Sequence, residues 1–199
     1  MCQLIETIRF ENGIPSLLSF HQERMDKTRK DLFGLTDSRS LADHFSDFSL
    51  PQSGIWKCRV TYSKGIEKTE FEAYLKKSIK SLRVVEVDDL NYTYKFVKRD
   101  CINQLFNLRK KADDILIIKN QFLTDTSYCN IALWNGINWI TPLHPLLKGV
   151  RRESLIRSEK IQAQDILLND LKYYHSIKLF NAMISFEEAE EISTSSIFF

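Results

Sequence analysis

Alternating side chains open the chain: Leu4-Ile5-Glu6-Thr7-Ile8-Arg9-Phe10 predicts a β-strand. Glu11-Asn12-Gly13 turns it, and Ile14 to Leu18 returns. Ser19-Phe-His-Gln-Glu23 has the form of a capping box, with the Ser19 hydroxyl accepting a backbone N–H. A helix is predicted from Phe20 to Phe33, closed by Gly34. A second runs from Ser38 or Ser40 to Phe48, before Pro51. Gly54 to Tyr62 and Lys68 to Tyr74 read as strands around a Ser63-Lys64-Gly65 turn. Lys76 to Ser81 is polar and basic, and we read it as a linker. Residues 1–80 then form a small N-terminal domain, and residues 81–199 a larger C-terminal one.

Leu82 to Val87 predicts a strand, and Asp88 to Tyr94 a polar and aromatic loop. Apolar positions from Phe96 to Leu108 fall at helical spacing, so a helix is expected from near Val97 to before Ala112, with Lys95 just ahead. Asp114 to Lys119 is an apolar, β-branched run followed by a Lys119-Asn120 turn. Ile131 to Trp134, Asn135-Gly136 and Ile137 to Thr141 predict a hairpin, since both turn residues tolerate positive φ. One twisted antiparallel sheet is expected to hold Asp125 at its polar break. Gly149 leads into a helix over Arg151 to Arg157, whose first backbone N–H groups suit an anion. A strand within 161–168, a helical turn over 171–175 and a strand over 177–184 follow. The apolar tail from Thr194 to Phe199 is expected to pack against another surface.

The chain has 199 residues, enough for one or two domains, and a net charge of +2, too small to bind nucleic acid by itself. Its four cysteines, Cys2, Cys58, Cys101 and Cys129, lie far apart without a CxxC pair. That predicts reduced thiols, a cytoplasmic setting and no metal site. No run is apolar enough to span a bilayer, and no signal peptide is read. The adjacent acids Asp88-Asp89 and Asp113-Asp114 read as loop charges.

Several segments, in collinear order, resemble the class IV aminotransferase family. They are Ile5-Glu6-Thr7-Ile8-Arg9, His21-x-x-Arg24-Met25, Asp114-Ile-Leu-Ile-Ile, Leu-Thr-Asp125-Thr-Ser-x-x-Asn130-Ile, Thr141-Pro142 and Leu-Leu-Lys-Gly149-Val-Arg-Arg. The resemblance implies an α+β protein of two α/β domains (fold type IV), with pyridoxal 5'-phosphate in the interdomain cleft. It also implies a homodimer. Lys95 matches the lysine that forms the Schiff base, with Lys98 as the competing candidate. Arg99, four residues on, matches a lyase-type pattern. Asp125 takes the position of the acid that keeps the cofactor's ring nitrogen protonated; at contact such a pair is worth about 4 kcal/mol at an effective dielectric of 20. Arg24, the backbone N–H groups of Val150 and Arg151 beyond Gly149, and Asn181 with Ala182 match the phosphate grip. Arg9 either binds a substrate carboxylate or decorates its strand. Taken singly, Lys95 is a surface lysine and Asp125 a turn-former; their roles come from the ordered set.

The chain departs from the family at four points. Its acid is aspartate where glutamate is usual. Asp100 stands where many transaminases have tyrosine, and Gly149-Val150-Arg151 replaces Gly-Ile-Thr. Set against the family, the resemblance also implies a shorter front than in longer relatives, whose leading segment helps shape the substrate pocket. The resemblance implies an aminotransferase-like enzyme acting on an amino acid and a keto acid. The alternatives are a lyase releasing pyruvate and 4-aminobenzoate from aminodeoxychorismate, and a degenerate homologue that binds cofactor or a partner without turnover.

Overall fold

The computed structural model describes residues 2–199. The chain packs as two units. One runs up to Lys76 and includes Tyr94–Lys98; the other comprises Lys77–Thr93 and Arg99–Phe199.

In the first unit, β1 (Leu4–Glu11), β2 (Ile14–Pro15), β3 (Ile55–Tyr62) and β4 (Ile66–Ala73) form an antiparallel sheet in the order β2-β1-β3-β4. Register sets Leu4 opposite Tyr62 and Ile8 opposite Cys58, so these side chains share a face. Helices α1 (Leu18–Phe33) and α2 (Leu41–Ser46) cover that face through Met25, Leu41 and Phe45. The Phe10 and Phe45 rings meet edge to face at 5.1 Å. Each such side chain stabilises the fold by roughly 1.5–3 kcal/mol when fully buried.

The start of α1 corrects the expected Ser19 cap. Leu17 is the N-cap, left-handed at φ 56, and no side chain caps the helix. The cause lies just upstream: Ser16 N–H still donates to Arg9 O at 2.8 Å, so the hairpin persists until the helix must begin. Gly34 closes α1 as expected, at φ 68, with its N–H on Lys30 O.

Residues 95–97 extend the same sheet. Ile5 N–H donates to Lys95 O at 2.9 Å, and Val97 N–H donates to Gln3 O at 3.0 Å. Phe96 bridges antiparallel to Leu4. These backbone groups are committed to β1, which is why α3 (Asp100–Phe106) starts three residues after Val97 and ends in a 3-10 turn, Asn107–Arg109.

The second unit holds two sheets where one was expected. Strands β5 (Leu82–Glu86), β6 (Asp114–Lys119), β7 (Phe122–Thr126) and β13 (Ile197–Phe198) lie in the order β13-β5-β6-β7. β6 and β7 are antiparallel across Asn120 and Gln121, both at positive φ, while β5 and β6 are parallel. The apolar tail packs here, with Ile197 opposite Leu82. The other sheet runs β10 (Gln162–Gln164), β9 (Trp139–Pro142), β8 (Asn130–Trp134), β11 (Ser176–Phe180), β12 (Glu191–Ser193). Asn135-Gly136 turns β8 into β9, with Gly136 at φ 96 and Asn135 Oδ1 accepting from Ile137 and Asn138 N–H. The strands expected over 161–168 and 177–184 are shorter, and the predicted helical turn is a 3-10 segment, Leu168–Tyr173. Between β7 and β8, Thr126 exchanges backbone and side-chain bonds with Cys129 at 2.9 and 3.0 Å. That tight loop sends the chain from one sheet into the other.

Candidate active site

In the first unit, Glu6 occupies a position on β1 that alternation assigns to the core, and it is fully buried. Arg24 and His21, one helical turn apart on α1, both reach it. Arg24 Nε donates to Glu6 Oε1 at 2.9 Å and its Nη2 binds Oε2, an arginine fork on a carboxylate. His21 Nδ1 lies 2.6 Å from Oε2. Burial pushes the Glu6 carboxyl up, but the Arg24 cation and the His21 hydrogen bond outweigh it and hold it at about 2. Burial pushes His21 down, so a neutral ring donates its Nδ1 proton to Glu6. Arg24 is therefore a cation already oriented by an anion.

Lys95 is half-buried and Lys98 is exposed. The Lys95 backbone is fixed against Ile5, and Lys95 lies near enough to His21 to lower its affinity for a proton. Phe96 and Tyr94 pack on the helix-covered core, and Phe96 N–H donates to Tyr94 O at 3.0 Å, so Lys95 sits at the centre of a tight turn; Arg9, between Ile8 and Phe10, lies on the face of β1 away from that core. Arg9 is buried, with Nη2 at 3.0 Å from Glu11. Register and burial thus bring Arg24 together with Glu6 and set Arg9 on the other face of β1.

In the second unit, Asp125 is buried at the end of β7. Asn130 Nδ2, at the start of β8, donates to Asp125 Oδ1 at 2.8 Å and to Leu147 O at 2.9 Å. Leu147 N–H donates to Asp125 Oδ2 at 2.9 Å. Burial pushes the Asp125 carboxyl up to about 6, against these donors and the nearby Arg152 cation. Gly149 closes the arrangement: a methyl on its Cα would overlap Asn130 Oδ1 and lie 3.1 Å from Cγ. Gly149 is followed at once by α4 (Val150–Arg157), one residue earlier than expected. The acid and the helix start are thus one hydrogen-bonded assembly.

The remaining second-unit candidates gather around the same loops. Arg99 Nη2 donates to Ser127 O. Asn181 Nδ2 lies 3.4 Å from Tyr128 O, and its Oδ1 accepts the N–H groups of Met183 and Ile184. Arg151 Nη2 reaches Ala182 O at 3.5 Å. The acid pair is divided: Asp113 caps Lys80 and Ser81, whereas Asp114 is fully buried and its carboxyl is pushed up by burial. Among the described residues no cluster of His, Cys, Asp and Glu could hold a metal.

The amino-transferase class IV family model matches residues 3–192. The chain belongs to the class IV aminotransferase family. An uncharacterised Haemophilus influenzae protein is 34% identical over 186 residues, 92% of this chain and 98% of its own. A candidate 4-amino-4-deoxychorismate lyase from Haemophilus somnus 129pt superimposes with a TM-score of 0.84 at 31% identity, covering 92% of this chain and 97% of that one. A hypothetical Mycobacterium tuberculosis aminotransferase, solved with PLP bound, shares the fold with a TM-score of 0.74 at 14% identity, over 96% of this chain and 80% of that one. The expected α+β fold of class IV enzymes is thus the fold of this chain. No helix among the described residues is long and apolar enough to cross a membrane.

Two buried charges escaped the sequence reading. Glu6 was read only as part of a strand, although an acid flanked by Leu4, Ile8 and Phe10 at period two was the signal that it is buried. Arg152, also buried, donates to Pro142 O at 2.8 Å; its Leu-Leu-Lys-Gly-Val-Arg-Arg context carried no signal separating it from Arg151.

Proposed function

We propose that this chain is a pyridoxal-phosphate enzyme acting on a small amine that carries a carboxylate. The observation that supports it best is Asp125, buried, with a carboxyl raised to about 6 and fastened through Asn130 and Leu147 to the start of α4. A buried acid in this condition is stabilised by an incoming cation. The Gly149 cradle, where a side chain would collide, leaves backbone N–H groups for an anion. A ring with a protonated nitrogen and a phosphate tail supplies both.

When bound, pyridoxal phosphate withdraws electrons from the substrate's α-carbon. Lys95 would hold the cofactor, and its Nζ would carry a proton to and from that carbon. Asp125 Oδ keeps the ring nitrogen protonated. The N–H groups of Val150 and Arg151, Arg24 oriented by Glu6, and Asn181 with Ala182 hold the phosphate. Arg99 fixes the loop at Ser127, and Arg9 faces the substrate carboxylate. The aminotransferase-like reaction is the general reading. The lyase reading is favoured by a candidate aminodeoxychorismate lyase name on two relatives, one in Haemophilus somnus and one in Schizosaccharomyces pombe, the latter 33% identical over 78 residues. We also expect a homodimer, which gel filtration tests.

The deciding experiment is the visible spectrum of protein reconstituted with pyridoxal phosphate. Lys95→Ala is expected to abolish the Schiff-base band and Lys98→Ala to keep it. A wild-type protein without the band, or a band that survives Lys95→Ala, rejects the reading. Incubation of the loaded protein with aminodeoxychorismate alone, following pyruvate, then separates lyase from aminotransferase.

A further inference from the structure

Arg152 stands where an arginine is costly on three counts. It is buried, and a buried cation is destabilising unless an anion meets it. It lies in the first turn of α4, where the helix dipole disfavours a positive charge. Its Nε is buried without a hydrogen-bond partner. The bonds it makes answer these costs only in part. Nη2 donates to Pro142 O at 2.8 Å, an uncharged acceptor that an amide side chain can serve as well. Nη1 donates to Glu153 at 3.0 Å, but the Glu153 side chain is 34% exposed and its charge is shared with water.

Asp125 completes the account, because it is built into the same frame. Leu147 N–H holds its Oδ2, Asn130 holds its Oδ1 and seats Gly149, and Gly149 opens the turn that carries Arg152. Among the described residues no hydrogen bond joins Asp125 to Arg152, so the two act on each other as charges, each favouring the other's ionised form. The other charged groups of the neighbouring elements are directed elsewhere. β8 and β9 carry none. Lys148 is exposed, Lys119 donates to Leu90 O, and Arg99 and Arg151 reach Ser127 O and Ala182 O. Asp114 lies two residues before Leu116, which pairs with Thr126, so it shares the face of the sheet that Asp125 turns from.

We propose that Arg152 is a positioning residue of the cofactor site: it is the built-in counter-charge of Asp125 and keeps that acid ionised at neutral pH for the cofactor's ring nitrogen. This rests on the reading of Asp125 as the acid of that ring. Without Arg152 the buried carboxyl takes up a proton near neutral pH and offers the ring nitrogen no charge. Arg152 itself acts only through Asp125.

The test reads the Asp125 carboxyl by carbon-13 NMR in the cofactor-free full chain, with Asp125→Asn to assign the resonance, in wild type, Arg152→Gln and Arg152→Lys. Arg152→Gln keeps a donor for Pro142 O and loses the charge; Arg152→Lys keeps the charge. The midpoint is expected at about 6 in wild type, higher by about one pH unit (tenfold in proton affinity) in Arg152→Gln, and within about 0.3 of wild type in Arg152→Lys. Cofactor binding follows the same titration. At pH 6.5 a midpoint moved from about 6 to about 7 leaves roughly a third of the carboxylate, so Arg152→Gln is expected to bind pyridoxal phosphate about threefold more weakly, the gap closing by about pH 8.5. A midpoint unmoved in Arg152→Gln, or moved equally in both variants, overturns the inference and leaves Arg152 a tether of α4 to Pro142. Should Arg152→Gln not fold, urea unfolding of Asp125→Asn/Arg152→Gln decides: a double variant that folds supports the charge relation, and one that does not overturns it. A wild type that titrates as expected but takes up no pyridoxal phosphate overturns the cofactor reading and with it the role given to Arg152, and the NMR midpoint tells that failure from a failure of the charge relation.

Discussion

Gly149→Ala isolates the coupling between the acid and the helix start. Gly149 has φ −71 and ψ 143, extended backbone that alanine adopts freely, so the substitution brings no conformational strain. What it brings is a methyl overlapping Asn130 Oδ1, with Asn130 Cγ at 3.1 Å. Asn130 must move, yet its Nδ2 is tied to Asp125 at 2.8 Å and to Leu147 O at 2.9 Å. Losing the bond to the carboxylate costs roughly 1.5–3 kcal/mol and the bond to the carbonyl roughly 0.5–1.5 kcal/mol. Urea unfolding of the cofactor-free protein is therefore expected to register a loss of about 2–4 kcal/mol, together with weaker pyridoxal-phosphate binding. The decisive arm is the double variant. In an Asn130→Ala background the methyl has nothing to strike, so Gly149→Ala is expected to add less than about 0.5 kcal/mol. Strict additivity of the two losses would refute the reasoning.

Glu6→Gln is expected to destabilise the first unit at pH 7. The folded carboxyl titrates at about 2 against 4.5 unfolded, a difference worth about 3 kcal/mol. Because the folded pKa is depressed, that stability is present above pH 4.5 and lost as pH falls toward 2; urea midpoints of wild type and variant should converge over that window, and a constant gap would contradict the assignment. Asp125 carries the opposite sign. Its folded carboxyl is raised to about 6, so it costs stability above that pH and the cost is relieved as pH falls through 6 toward its unfolded value of 3.8. If the proposed role of Asp125 holds, pyridoxal-phosphate affinity is expected to fall over the same range in wild type and to lose this dependence in Asp125→Asn. Equal pH profiles in the two proteins would exclude the acid from the cofactor's nitrogen.

Local signals carried far along this chain where the physics was local. The β6–β7 and β8–β9 hairpins follow from apolar runs around short turns, and Gly34 ends α1 because only a left-handed residue continues the chain there. Readings failed where a distant partner decided. Ser19 lost its cap because the β1–β2 hairpin holds Ser16. Residues 97–99 lost their helix because Val97 is spent on Gln3. The second sheet was hidden because the parallel pairing of β10 with β9 leaves no mark in either segment. For the site, the spacing of Asp125, Asn130 and Gly149 was visible in sequence. That Gly149 is glycine because Asn130 leaves no space for a methyl was not.

Lys95 belongs by contact to the segment it follows by some twenty residues, through its carbonyl on Ile5 and through Val97 on Gln3. A fragment stopped at Lys76 would therefore not be a finished module. It would leave Gln3 and Ile5 with bare hydrogen-bonding groups on an edge backed by Leu4 and Ile8, the kind of border that recruits strands from other molecules. Dissection of this protein into halves is best made with residues 94–98 grafted back onto the first, since without them the piece is expected to self-associate.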